Sequence, residues 1–281
     1  MDTSFPSIVS KAWNTNRGLA ESIDSFSKEA TLWNKNHFGN IHYKKKQILA
    51  RLYGIQKALS NNPCAPLLTL ESQIQQDLDH VLDQERDLWL LKSKVNWMIQ
   101  GDRNTSFYHM STLTRRKRNH IASVKDDMGE WITSEREVME FFRRGFISLY
   151  STSHVAASRA PLQPTQWYGR MSEEVKCSLS AMVTIEEIKS ALWSMKPYKA
   201  PGPNGLDVGF FQRFWLITRD SVKREMEKAF TSARVLDYLN KTLIDLIPKI
   251  QGPETLGNYR PISLCNTIYK IITKVIVAQI A

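Results

Sequence analysis

Cysteine is scarce in this chain and no long apolar run occurs, and each shortage argues against a class of protein. The three cysteines, Cys64, Cys177 and Cys265, are far apart, odd in number and never in C-x-x-C spacing. That pattern speaks against a disulfide scaffold and a zinc finger. It speaks for a reducing, intracellular compartment, nuclear or cytoplasmic. No stretch approaches the roughly 18 apolar residues of a membrane span, and Met1–Ser10 lacks the basic-then-apolar layout of a signal peptide. A G-x-S-x-G nucleophile elbow and a P-loop are both missing. His37 and His42 stand five apart with no cysteine or carboxylate placed to complete a metal set. Acidic side chains are the last shortage: 28 Asp and Glu face 38 Lys and Arg, leaving +10. A soluble basic chain with a polyanionic partner is the expectation, and a membrane partner is not.

What is present is a chain of 281 residues, 42% hydrophobic, which is globular in character and long enough for about two domains. Residues 1–100 read as a helical arm. Ile41, Ile48, Leu52, Ile55 and Leu59 keep helical spacing. Beyond the Asn61-Asn62-Pro63 break, Leu67, Ile74, Val81, Leu88 and Val95 recur every seven residues. Two long helices joined at that break form an antiparallel hairpin, a stalk or packing arm able to pair with another helix.

Residues 101–152 read as a basic helix followed by a β-hairpin module. Gly101 suits a helix stop and Asp102 the next N-cap. That helix carries Phe107, Met110 and Leu113 on one side and finishes in Arg115-Arg116-Lys117-Arg118. Ile121–Lys125 and Glu130–Thr133 flank the turn-rich Asp126-Asp127-Met128-Gly129. Ser134 and Glu137 form a capping box for a helix with Val138, Phe141, Phe142, Phe146 and Leu149 inward. Residues 153–171, rich in Ser, Ala and Pro, read as a linker.

In residues 172–281, Thr184 and Glu187 form another capping box, ahead of Ile188, Leu192 and Met195, and Pro197 stops that helix. Lys199–Gly205 is a turn-rich connector, and two helices follow between Gly209 and Val235. β-like runs at Leu243–Ile247 and Tyr259–Leu264 precede an apolar helix, Thr267–Ile280. The fold class is α+β, mostly helical.

Three of these segments fall in a telling order. Lys199-Ala-Pro-Gly-Pro-Asn-Gly205, Asn240-Lys-Thr-Leu-Ile-Asp-Leu-Ile-Pro-Lys249 and Asn258-Tyr-Arg-Pro-Ile-Ser-Leu-Cys-Asn266, with Tyr269-Lys270-Ile271, resemble the fingers of a reverse transcriptase. More narrowly, they resemble a plant LINE-type, non-LTR retrotransposon polyprotein. Lys92-Ser-Lys-Val-Asn-Trp97, Gly101-Asp-Arg-Asn-Thr105 and Phe107-Tyr-His109 are similar to the segment such polyproteins carry between endonuclease and polymerase. The resemblance runs from about Phe26 to the end, with one departure at Asn204, where the family usually has Asp.

The resemblance implies a partial right-hand polymerase, fingers without palm, from an RNA-directed DNA polymerase. Its implied partners are RNA or DNA and, if a palm is supplied, a deoxynucleoside triphosphate. Lys249 and Arg260 are the implied triphosphate-binding cations, one a compact charge and the other a planar fork. Magnesium is implied for the complete enzyme, held by acids on an Asp-bearing strand and an aromatic-x-Asp-Asp hairpin that follow Tyr-Arg-Pro-Ile in the family. Neither motif occurs in this sequence, so no catalytic residue and no metal ligand is assigned, and the chain by itself is expected to be inactive. Asp126-Asp127 mimics such a pair but precedes the triphosphate motifs and reads as a polar turn.

The segment from Lys92 to Arg118 is the nucleic-acid candidate. Its cations are Lys92, Lys94, Arg103, Arg115, Arg116, Lys117 and Arg118, against Asp102 alone, with Trp97, Phe107, Tyr108 and His109 among them. Cations interleaved with stackable rings suit single-stranded RNA. The plainer reading is that cations at a helix C-terminus answer its dipole, that Trp97 and Phe107 are core, and that Arg115–Arg118 is a nuclear-import signal. The alternative to a polymerase piece is a non-enzymatic RNA- or DNA-binding fragment or domesticated protein acting through this segment. Ile268, Ile271, Ile272, Val275, Ile276 and Ile280 are expected to lie uncovered without a palm, so that the last helix frays or aggregates.

Overall fold

The computed structural model describes residues 4–13, 17–93, 105–151, 181–232 and 234–280. The expected linker at 153–171 lies outside them, as do Lys94, Val95, Trp97, Gly101, Asp102, Arg103 and Cys177. In chain order the elements begin with α1 (Phe5–Ala12), α2 (Leu19–His37), α3 (Ile41–Asn61), α4 (Ala65–Ser93) and α5 (Thr105–Asn119). Then come β1 (Val124–Lys125), β2 (Trp131–Ile132), α6 (Glu135–Tyr150), α7 (Ile185–Trp193), α8 (Val208–Arg213) and α9 (Trp215–Ser232). The last are α10 (Asp237–Asn240), β3 (Thr242–Pro248), a 3-10 turn at Leu256–Asn258, β4 (Tyr259–Cys265) and α11 (Thr267–Ile280). Among the described residues helix dominates, with two small antiparallel sheets, β1–β2 and β3–β4.

The chain forms two compact units: Met1–Glu29 with Ile121–Ala281, and Ala30–His120. This division follows packing, whereas the boundaries near residues 100 and 152 were an expectation from local pattern alone. In the first unit, Phe5, Trp13 and Phe26 meet Phe210 and Phe214 with ring centroids 4.9 to 6.0 Å apart. Trp13 Nε1 donates to Ser221 Oγ at 3.0 Å. Such ring pairs contribute about 0.5–1.5 kcal/mol each beyond burial, and they bind the first helices to α8 and α9.

The centre of this unit is helical. Ile188 and Leu192 of α7, Phe211 of α8, Val222 and Met226 of α9 and Leu239 of α10 are fully buried with α11's Ile268 and Ile271. Helix α7 starts on the expected capping box: Thr184 Oγ1 accepts from the Glu187 amide at 3.2 Å and Glu187 Oε2 accepts from the Thr184 amide at 2.8 Å. That amide bond holds the Glu187 carboxyl below its ordinary range. Ser134 makes no such bond at the start of α6; both it and Glu137 are exposed, so solvent serves the first-turn amides.

Two core expectations are revised. On α6 the buried stripe is Val138, Phe142 and Phe146, steps of four that drift toward Tyr150 and leave Leu149 outside. On α11, Ile268, Ile271, Ile272 and Val275 are buried, because α7 and α10 pack along that side. Among its large apolar side chains, only Ile276, Val277 and Ile280 remain exposed. At about 1.5–3 kcal/mol per buried side chain, this helix is anchored through most of its length.

In the second unit α3 and α4 form the hairpin, with the break at Asn62–Cys64 between them. Asn40 caps α3, its Oδ1 accepting from the Tyr43 amide at 3.1 Å. Ile74 and Val81 of the heptad stripe are buried on α4, and Lys45 Nζ reaches the buried Glu85 Oε2 at 2.7 Å. Helix α3 buries no residue fully; its apolar side is half-covered and its other side lies open. Helix α5 packs along α4 through Tyr108 and Thr112, and the His109 ring meets Trp89 edge-on at 4.4 Å. The side carrying Phe107, Met110 and Leu113 is the exposed one.

Candidate functional site

The β3–β4 ribbon positions the two cations singled out by sequence. Antiparallel register sets Leu246 opposite Pro261 and Pro248 opposite Tyr259. Tyr259 is buried, its ring edge-on to Phe142 at 5.0 Å, and Leu246 joins the same cluster. This face of the ribbon is therefore seated on α6. Burial also raises the Tyr259 hydroxyl's pKa above its ordinary value. Both prolines occupy non-hydrogen-bonded pairs, so their missing N–H groups fall on the ribbon's outer edges, where no ladder bond is lost.

The opposite face carries Leu243, Asp245, Ile247 and Lys249 from one strand and Arg260, Ile262 and Leu264 from the other. Ile247 sits directly across from Arg260. The Lys249 amide continues the ladder by donating to Asn258 O at 2.8 Å. Lys249 is thus one pleat beyond Ile247, a diagonal neighbour of Arg260 on the same side, about 7–8 Å away between Cα atoms. Both are exposed, and two long side chains cover that gap easily. Lys249 Nζ donates to Gly257 O at 2.7 Å. Asp245 occupies the other diagonal of Arg260, with no ion pair between them among the described residues.

Residues that the sequence reading passed over hold this end of the ribbon. Asn258 Oδ1 accepts from the Glu254 amide, the Thr255 amide and Thr255 Oγ1 at 3.0 to 3.1 Å, fixing the turn that presents Gly257. Lys125 Nζ meets Glu254 Oε2 at 2.6 Å, and its amide donates to Glu254 O, so the β1–β2 hairpin braces the same turn. Further back, Asn266 is 2% exposed. Its Nδ2 donates to the carbonyls of Tyr238, Leu239 and Lys241, and its Oδ1 accepts from the Asn204 amide at 3.2 Å. One side chain therefore joins the Lys199–Gly205 connector, α10 and the β4–α11 junction. A Cβ on Gly202 would lie 2.5 Å from the Asn266 nitrogen, so only glycine fits that crossing. Asn204 Oδ1 accepts from the Leu206 amide at 3.1 Å, an acceptor role that an Asp carboxylate oxygen is equally able to fill.

The basic segment divides. Arg115 donates from Nη1 to Ser93 O at 2.7 Å and from Nη2 to Lys92 O, capping the carbonyl end of α4. Lys92 lies over the Trp89 ring, 4.8 Å from its centroid. Arg116, Lys117 and Arg118 are exposed on α5's last turn. Lys94, Trp97 and Arg103 fall outside the described residues.

Magnesium, which the family resemblance implies for the complete enzyme, does not fit the described residues. No group of three or more His, Cys, Asp and Glu among them could hold a metal ion. Asp126 Oδ1 is occupied by the Met128 and Glu130 amides, both at 2.9 Å, so it serves as a turn acceptor. Among the described residues no helix is long and apolar enough to cross a membrane.

No protein-family model matches the chain. Over 188 residues, 66% of this chain, it is 26% identical to an uncharacterized 149 kDa protein of transposon TX1 from Xenopus laevis. Over 222 residues, 77% of this chain, it is 22% identical to the RNA-directed DNA polymerase from mobile element jockey of Drosophila funebris. The matched spans make up 14% and 24% of those two proteins. The likeness is to proteins of mobile elements, one of them an RNA-directed DNA polymerase.

Proposed function

We propose that this chain is the fingers-side part of a LINE-type RNA-directed DNA polymerase. In this reading Lys249 and Arg260 receive the triphosphate of an incoming deoxynucleotide, while Arg116, Lys117 and Arg118 receive nucleic-acid phosphates. The observation that carries it is the β3–β4 register, with Arg260 across from Ile247 and Lys249 one pleat further on the same face. A ribbon seated on α6 fixes both backbone positions in advance, so only the two side chains need ordering when an anion arrives. The likeness to a mobile-element polymerase supports the same reading. The metal-binding carboxylates of the complete enzyme are then not among this chain's residues, and the chain alone extends no primer.

Equilibrium binding of a deoxynucleoside triphosphate to the full chain tests the reading. Lys249→Ala and Arg260→Ala are each expected to weaken it about tenfold, in line with the ~1.5–3 kcal/mol of a charge-assisted bond. Affinity unchanged by both substitutions would end the proposal. The second reading, a nucleic-acid-binding protein without catalysis, draws on the exposed cations of α5. It predicts salt-sensitive RNA binding that survives both substitutions.

A further inference from the structure

We propose that the open side of α3 is a second contact surface for single-stranded nucleic acid, an inference that rests on the reading above and extends it to the arm. Between Ile41 and Asn61 the chain has no Asp or Glu, but it has Lys44, Lys45, Lys46, Arg51 and Lys57. Two of these are engaged: Lys45 with Glu85, and Lys44 with His37 O at 3.0 Å. Lys46, Arg51 and Lys57 are exposed and form no ion pair among the described residues.

Two aromatic rings stand beside them. Tyr43 is 60% and Tyr53 70% exposed, and neither ring contacts another among the described residues. Tyr43, Lys46, Ala50, Tyr53 and Lys57 follow steps of three, four, three and four, which place them in one stripe about 21 Å long. This stripe lies opposite the Ile48, Leu52, Ile55 and Leu59 side that meets α4. The rings add nothing to the hairpin's core, so packing does not account for them. Open rings alternating with free cations suit a flexible single strand, whose phosphates meet the lysines while its unstacked bases lie on the tyrosines. An acid-free helix favours a polyanion over a protein surface of mixed charge. The acidic α4 of a second copy is the competing occupant.

The test measures binding of the full chain to a labelled single-stranded RNA of about 20 nucleotides, and to its duplex, across a range of salt. Tyr43→Ala with Tyr53→Ala is expected to weaken single-strand binding about tenfold without altering the salt slope. Duplex binding should change less than about twofold. Lys46→Ala and Lys57→Ala together should lower the single-strand slope by roughly 1.4, at about 0.7 per phosphate contact. All four side chains are exposed, and an unchanged far-ultraviolet circular dichroism spectrum verifies the fold. Absence of RNA binding by the unaltered chain would remove the reading above and this inference with it. RNA binding that falls with Arg116→Ala, Lys117→Ala and Arg118→Ala but not with the α3 sets would overturn this inference alone. Self-association abolished by the α3 sets, with RNA affinity unchanged, would overturn it in favour of a second copy.

Discussion

Asn266 is the residue on which the ribbon end of the first unit depends most. Three carbonyls and one amide from two other segments converge on its buried amide group. Replacement by Ala removes both partners' worth of donors and acceptors and leaves groups that water cannot easily reach. Each such orphan costs about 1–3 kcal/mol. Asn266→Ala is expected to destabilise the chain by about 3 kcal/mol in urea denaturation, with little change in slope. A loss below about 1 kcal/mol would mean that solvent enters and replaces the side chain. Asp at the same position keeps the acceptor for Asn204 but turns a carboxylate toward three carbonyl oxygens, so it is expected to be no better than Ala. The sequence marked Asn266 only as the last letter of a motif. A hydrogen-bond hub made from residues 204, 238, 239, 241 and 266 leaves no local periodicity to read. Lys249 and Arg260 were named from the resemblance of the motifs around them, whereas the pairing register that sets both on one face of the ribbon is a tertiary fact that neither strand carries alone.

At the scale of the element, α5 shows how far a charge run can be read. The sequence presents Arg115 to Arg118 as one block, but a helix turns each successive residue by about 100°. Arg115 faces α4 with Tyr108 and Thr112, and it caps the carbonyls of Lys92 and Ser93. Its three followers are exposed and make no hydrogen bond or ion pair from their side chains among the described residues. Arg115→Ala is therefore expected to destabilise the second unit by about 1–3 kcal/mol and to loosen amide protection at the end of α4. Arg116→Ala should leave stability within about 0.5 kcal/mol and reduce RNA affinity. The reverse pattern would assign the cap to the wrong residue. The same turning explains why Phe107, Met110 and Leu113 share a side yet are not core: helical spacing reveals a stripe, whereas the neighbour decides which stripe is covered. On α11 the neighbour was also the deciding fact, since α7 covers isoleucines that the sequence alone leaves open.

At the scale of the whole molecule, the first unit is discontinuous, with residues 1–29 completing a core made mostly from residues beyond 180. Local pattern could not show this, because Phe5, Trp13 and Phe26 look like the start of an arm until Phe210, Phe214 and Ser221 are placed beside them. Removal of a buried tryptophan costs about 3–5 kcal/mol, a large share of the 5–15 kcal/mol that holds a typical domain. Trp13→Ala should therefore raise hydrogen exchange across the whole first unit, including Ile268–Val275, more than two hundred residues away in the chain. Amides of α3 and α4 should keep their protection, since their core of Ile74 and Val81 and the Lys45–Glu85 pair shares no side chain with the ring cluster. If protection fell equally in α3 and α4, the two units would unfold as one cooperative body, and binding defects from arm variants could not be separated from defects in the ribbon. If it fell only near Trp13, the first helices would be a detachable flap rather than part of the core that supports Lys249 and Arg260.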